Sequence, residues 1–155
     1  MRFTSREDIE VPIDHVFAEI SDFMKFERAA LRRGAEIRRT RERATPGIGM
    51  GWHARFTLRG KPREVDTEVT AYDPPNGFAI AARSAAFGGQ IGVDLVALSR
   101  GRTRMTVELV IKPQTLSARL LVQSLKLARG NLTKRFRKRI ADFAAKVEDG
   151  YTSKV

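Results

Sequence analysis

Cysteine is missing altogether from these 155 residues, which excludes disulfides, thiolate nucleophiles and cysteine metal sites. Histidine is scarce. Only His15 and His53 are present, and neither has neighbours that suggest a metal site or a triad. No metal and no catalytic residue are expected. Long hydrophobic runs are missing too, so no segment is expected to span a membrane. The opening MRFTSREDIE has no apolar core of a signal peptide. Together with the lack of cysteine, this leads to the expectation of a cytoplasmic protein. Acidic charge is the last deficit: 18 Asp and Glu stand against 29 Lys and Arg, a net charge of +11.

What is present suits one globular domain. Apolar residues make up 42% and charged residues 30%, and the length is enough to bury a core. A single domain is expected over residues 1–150, with 151–155 as a tail. The positive charge is concentrated in two segments. Residues 25–43 carry a net +5 and residues 113–149 a net +6, which together account for the whole excess. Such clustering fits an anionic partner surface, or two solvated faces of a basic protein.

Phe3–Val11 reads as a first strand. Pro12 and Asp14 open a short helix with Ile13, Val16, Phe17 and Ile20 on its apolar face. Asp22 caps a second short helix carrying Phe23, Phe26 and Leu31, which ends at Gly34. Six strands follow. Ala35–Arg43 is charged and suits a sheet edge. Thr45-Pro46-Gly47 turns the chain. Gly51–Arg59 alternates, with Trp52, Ala54, Phe56 and Leu58 on one face. Arg63–Tyr72 alternates too, with Val65, Thr67, Val69 and Ala71 inward. In that register Arg55 faces Asp66 and His53 faces Glu68. Asp73-Pro74-Pro75-Asn76-Gly77 is a turn, and Phe78–Ser84, Gln90–Leu98 and Thr103–Lys112 complete a meander. From Pro113 to about Val147 the pattern is helical. Leu121, Leu125, Leu132, Phe136, Ile140, Phe143 and Val147 form one stripe. One helix of that length spans about 50 Å, enough to cross a curved sheet and close a cavity.

Several segments together carry a family resemblance: Val11-Pro12-Ile13-Asp14-His15-Val16-Phe17, Asp22-Phe23, Gly49-Met50-Gly51-Trp52, Glu68-Val69-Thr70-Ala71-Tyr72-Asp73-Pro74-Pro75, Gly101-Arg102-Thr103-Arg104-Met105-Thr106-Val107 and the closing helix. With this element order, the chain resembles the SRPBCC superfamily over nearly its whole length. That superfamily includes START lipid-transfer domains, polyketide cyclases and dehydratases, and birch-pollen-allergen-like proteins. The resemblance implies an α+β helix-grip fold. In it a curved antiparallel sheet of about seven strands surrounds a long C-terminal helix, with two short helices after the first strand. It also implies a central cavity for a small hydrophobic or amphipathic ligand. One such cavity serves many ligands and some enzymes.

The candidate ligand-binding set is Trp52, Phe56, Phe78, Ile80, Met105, Val107, Leu125 and Arg129, with Phe87 nearby. The apolar members either fill the core or line the cavity. Arg129 falls near the centre of the buried stripe on a helical wheel, where an unpaired cation is costly. It either anchors an anionic ligand group, with Asp94 or Glu108 as a partner, or escapes to solvent through a kink at Gly130. Leu116, Leu120 and Leu127 form a second apolar stripe, which needs a cover: the loop around Ala85–Gly89, a partner or lipid. Gly47, Gly49 and Gly51 precede a strand and lack the strand-before, helix-after setting of a dinucleotide site, so they read as a turn or a close approach of the adjacent helices. No cofactor is expected.

Lys134-Arg135-Phe136-Arg137-Lys138-Arg139 is basic, but no stacking aromatics interleave the charges, so no sequence-specific nucleic-acid partner is expected. The expected function is binding or transport of a small hydrophobic ligand. Two alternatives stand beside it: a polyketide cyclase-like or dehydratase-like enzyme, and a basic module that meets an anionic membrane, a protein or a second copy of this chain.

Overall fold

The computed structural model describes residues 1–41, 46–58 and 60–154. Glu42, Arg43, Thr45, Arg59 and Val155, assigned above to strand ends, a turn and the tail, lie outside the described residues. The elements run β1 (Arg2–Ile9), α1 (Ile13–Ile20), α2 (Phe23–Arg32), β2 (Glu36–Arg41), β3 (Gly51–Leu58), β4 (Lys61–Asp73), β5 (Gly77–Arg83), β6 (Phe87–Ser99), β7 (Arg102–Pro113), α3 (Leu116–Lys126) and α4 (Arg129–Lys154). All strand pairs are antiparallel, in the order β1-β7-β6-β5-β4-β3-β2. The sheet is curved.

Local chemistry sets the helix ends. Pro12 precedes α1, and the Asp22 side chain accepts the Lys25 N–H at 3.1 Å to cap α2. At the other end of α2, Gly34 takes a φ of +92°. There the Gly34 N–H reaches Leu31 O and the Ala35 N–H reaches Ala30 O, which closes the helix with the paired bonds of a left-handed cap. The charged strand β2 is an edge, as its arginines suggest.

Three expectations are corrected. The Lys61 end of the β3–β4 hairpin pairs with Leu58, so His53 faces Asp66 and Arg55 faces Glu64. The register slips by two residues from that expected, because the turn closes earlier. A slip of two keeps every side chain on its face. In β4 the register shifts between Val69 and Ala71. This bulge moves Ala71 to the exposed face and brings Tyr72 against the core.

The third correction concerns the C-terminal helix, which is two helices. Pro113 ends β7, and Thr115 caps α3 by accepting the Ala118 N–H. The Leu127 N–H then bonds Ser124 O and the Ala128 N–H bonds Leu125 O, three-residue steps that tighten the chain and end α3. The second helix continues to Lys154, past both Val147 and the expected tail boundary, and Tyr151 packs on the core.

The core lies between the sheet and α1, α2 and α4. Ile9, Val11, Val16, Val69 and Met105 are fully buried, each contributing about 1.5–3 kcal/mol. Among the described residues the one polar side chain buried as deeply is Thr103, whose hydroxyl donates to Val11 O at 2.8 Å. Phe3 of β1 meets Phe136 of α4 at 5.9 Å between ring centroids, which fastens the long helix to the sheet edge. Gly51 lets β2 approach β3, since a Cβ there would meet Thr40 Oγ1 at 2.5 Å. The close approach is therefore of a strand and not of helices, while Gly49, at a φ of +93°, serves the turn that was the other expectation.

Candidate functional site

A cavity of about 460 Å³ opens between the sheet and the helices. Each strand from β2 to β7 sends one or two alternate residues into it. Ile37, Trp52, Ala54 and Thr67 come from one half of the sheet, and Phe78, Ile80, Ile91, Val93, Met105 and Val107 from the other. Ile20 of α1 and Phe23, Phe26, Glu27 and Ala30 of α2 close one side. On α4, Ile140 and Phe143 close another. The α2 residues share a face because they are spaced three, four and seven apart. Phe23 stacks edge-on against Phe78 at 5.3 Å, and Phe26 meets Phe143 at 6.3 Å, so the two helices meet over the cavity.

Five of the eight expected ligand-binding residues line this space: Trp52, Phe78, Ile80, Met105 and Val107. Phe56 shares the face of Trp52 but lies further along β3, partly exposed and outside the lining. Leu125 is half-buried on α3, which contributes nothing to the cavity wall. Arg129 is exposed at the first position of α4, away from the cavity. The turn at Leu127–Ala128 interrupts the helix before it, so the position given by a wheel drawn through one continuous helix does not hold and Arg129 reaches solvent, the second of its two expected fates. Asp94 and Glu108, its suggested partners, line a separate depression with Ala71 and Asp73. Phe87 pairs with Pro113 at the start of β6 and is also absent from the lining.

Glu27 joins the site without having been expected there. It is the one charged side chain among the described lining residues. Its Oε2 accepts the Arg39 Nε–H and the Trp52 Nε1–H, both at 3.1 Å. The available signal was its position four residues after Phe23, on the apolar face of α2.

Other charged clusters lie outside the cavity. His53 meets Asp66 at 2.7 Å and Glu64 at 3.5 Å. The Asp66 hydrogen bond raises the His53 pKa, with Glu64 assisting and desolvation opposing. Asp8 accepts from Arg104 at 2.9 and 3.2 Å, a forked pair that lowers the Asp8 pKa against partial desolvation. No metal-ligating cluster occurs among the described residues, and no described helix is long and apolar enough to cross a membrane.

No family model matches the chain, and no curated protein matches its sequence. Solved structures do match in shape. The Zhui aromatase/cyclase from Streptomyces sp. R1128 superposes with a TM-score of 0.65 at 11% identity, over 96% of this chain and 93% of that one. Ara h 8.0201 gives 0.56 at 14% identity, over 92% and 98%. A START superfamily protein from Mycobacterium smegmatis gives 0.54 at 12% identity, over 86% and 95%. The chain thus has the helix-grip fold of these proteins, the fold that the resemblance to the SRPBCC superfamily implied.

Proposed function

We propose that this protein binds and carries a small hydrophobic or amphipathic molecule in its cavity, in the cytoplasm. The observation that carries the reading is a space of about 460 Å³ whose described lining is apolar except for Thr67 and Glu27. The likeness to a START superfamily protein supports it. Native mass spectrometry of protein purified from its own host tests it, with a bound small-molecule mass as the expected result. If no adduct is found and the dye ANS fails to bind the purified chain, the reading falls.

The competing reading is a cyclase-like or dehydratase-like enzyme, and the Glu27 carboxylate in the cavity favours it. General acid–base chemistry of this kind pairs a positioned acid with a base. No second acid or base joins Glu27 in the described lining. A carrier fits this arrangement better.

The same proposal assigns a delivery surface. Leu116, Leu120, Leu121 and Leu127 are 74%, 57%, 45% and 93% exposed. Arg119, Lys126 and Arg129 stand among them, and the sequence has no acidic residue between Glu108 and Asp142. Apolar side chains ringed by cations suit an anionic membrane surface. Sedimentation with phosphatidylserine-containing vesicles should show binding at low salt that fades as salt rises. Equal binding to neutral vesicles, or concentration-dependent dimerisation through α3 without vesicle binding, would remove this assignment.

A further inference from the structure

We infer that Glu27 is the polar recognition point of the cavity, and that the ligand is a neutral, largely apolar molecule with a hydroxyl donor at one end. The inference rests on the cavity-binding reading and names the chemistry of what is bound.

Glu27 is the one charged group among the described residues that line an otherwise apolar space. As a carboxylate it can only accept hydrogen bonds, and its two oxygens offer about four acceptor sites. The Arg39 and Trp52 bonds both end on Oε2 and leave Oε1 to accept from a ligand. Those two donors also pin the side chain from β2 and β3, so a ligand hydroxyl meets an acceptor whose rotamer is already set. Arg39 balances the Glu27 charge through the same 3.1 Å contact. The pair therefore does not call for a cationic ligand. A ligand anion would face the Glu27 carboxylate at close range, which selects against it. A ligand with no donor would strip water from Oε1 and replace it with nothing, and an unsatisfied charged acceptor is costly. The Glu27 side chain is 21% exposed, whereas Met105 and Val107 of the sheet are buried, so the acceptor on α2 is within reach of a ligand hydroxyl whose apolar body lies against the sheet.

Three probes with one ring skeleton test this on the full chain by titration calorimetry: 2-naphthol, 2-methylnaphthalene and 2-naphthoate. The expected order is 2-naphthol tightest, by about tenfold over 2-methylnaphthalene, as a hydrogen bond to a charged acceptor implies. The carboxylate probe should be weakest. In Glu27→Gln the amide adds donors, so the 2-naphthol advantage should shrink to less than about threefold and 2-naphthoate should gain. Equal affinity for 2-naphthol and 2-methylnaphthalene in the natural protein overturns the inference and leaves cavity binding intact. So does an unchanged ranking in folded Glu27→Gln. Tightest binding of 2-naphthoate would make Arg39 the reader instead, and also overturns it. If none of the three probes binds, the inference fails, and ANS binding then decides whether the cavity reading fails with it. The ranking in the natural protein decides the matter even if the variant does not fold.

Discussion

Phe23 of α2 and Trp52 of β3 meet edge to face, with 5.5 Å between ring centroids. Their contact ties the second helix to the sheet at the cavity wall. Removing the indole in Trp52→Ala should cost about 3 kcal/mol, read as a lower urea midpoint. Trp52 is the sole tryptophan, so its emission should also shift when ANS or 2-naphthol fills the cavity. A bound ligand that leaves this emission unchanged sits elsewhere.

Ala54 and Met105 both line the cavity but should respond in opposite ways. The Ala54→Phe ring would occupy the ligand space, so probe affinity should fall at least about tenfold while stability falls by no more than about 3 kcal/mol. Met105 is fully buried, and Met105→Ala should cost about 2–5 kcal/mol. Chemical denaturation alongside calorimetry checks both. Unaltered binding in Ala54→Phe would place the ligand outside this cavity.

Two ion pairs give stability opposite dependences on pH. His53 has its folded-state pKa raised above the ordinary 6.5, chiefly by the Asp66 hydrogen bond. Its contribution is therefore complete below about pH 6.5 and is lost as pH rises through the folded value. Asp8 has its pKa lowered below the ordinary 3.8, chiefly by Arg104. Its contribution is present above that value and is lost as pH falls through the folded one. Hence His53→Ala should weaken the protein more at pH 5.5 than at pH 9, and Asp8→Asn more at pH 6 than at pH 2.5. A substitution whose effect on the urea midpoint is the same at both pH values would show that its pair is not formed.

The combined change Leu120→Asp and Leu127→Asp should abolish binding to anionic vesicles and leave the thermal midpoint within a few degrees. Both leucines are exposed, so little packing is lost. A large drop in thermal midpoint would show that the stripe is core.

Most of the architecture was readable from local patterns. The alternation in β3, the Asp22 cap and the Gly34 stop are decided by residues a few positions apart. The features that escaped depend on distant partners or unmarked joints. Val69, Thr70, Ala71 and Tyr72 all suit a strand, and only pairing with β5 shows which one bulges. Leu127 and Ala128 are good helix formers, so the one local sign of a break between α3 and α4 is Gly130, where a kink was one of the two expectations. The joint leaves Arg129 in solvent, as that alternative had it, and the ligand-anchor alternative is the one that fails. Glu27 was obscured differently: it sits in a charged run, and its role emerges only when Arg39 and Trp52 close on it across 12 and 25 residues.

Under the proposed function, the joint at Leu127–Ala128 also separates cargo from address. On the cavity side of it, α4 supplies Ile140 and Phe143 to the wall; on the other, α3 buries Ala118 and Val122 and supplies no wall residue. A different amphipathic sequence grafted onto residues 116–126, with those two positions kept, should then change where the protein docks and leave what it holds the same.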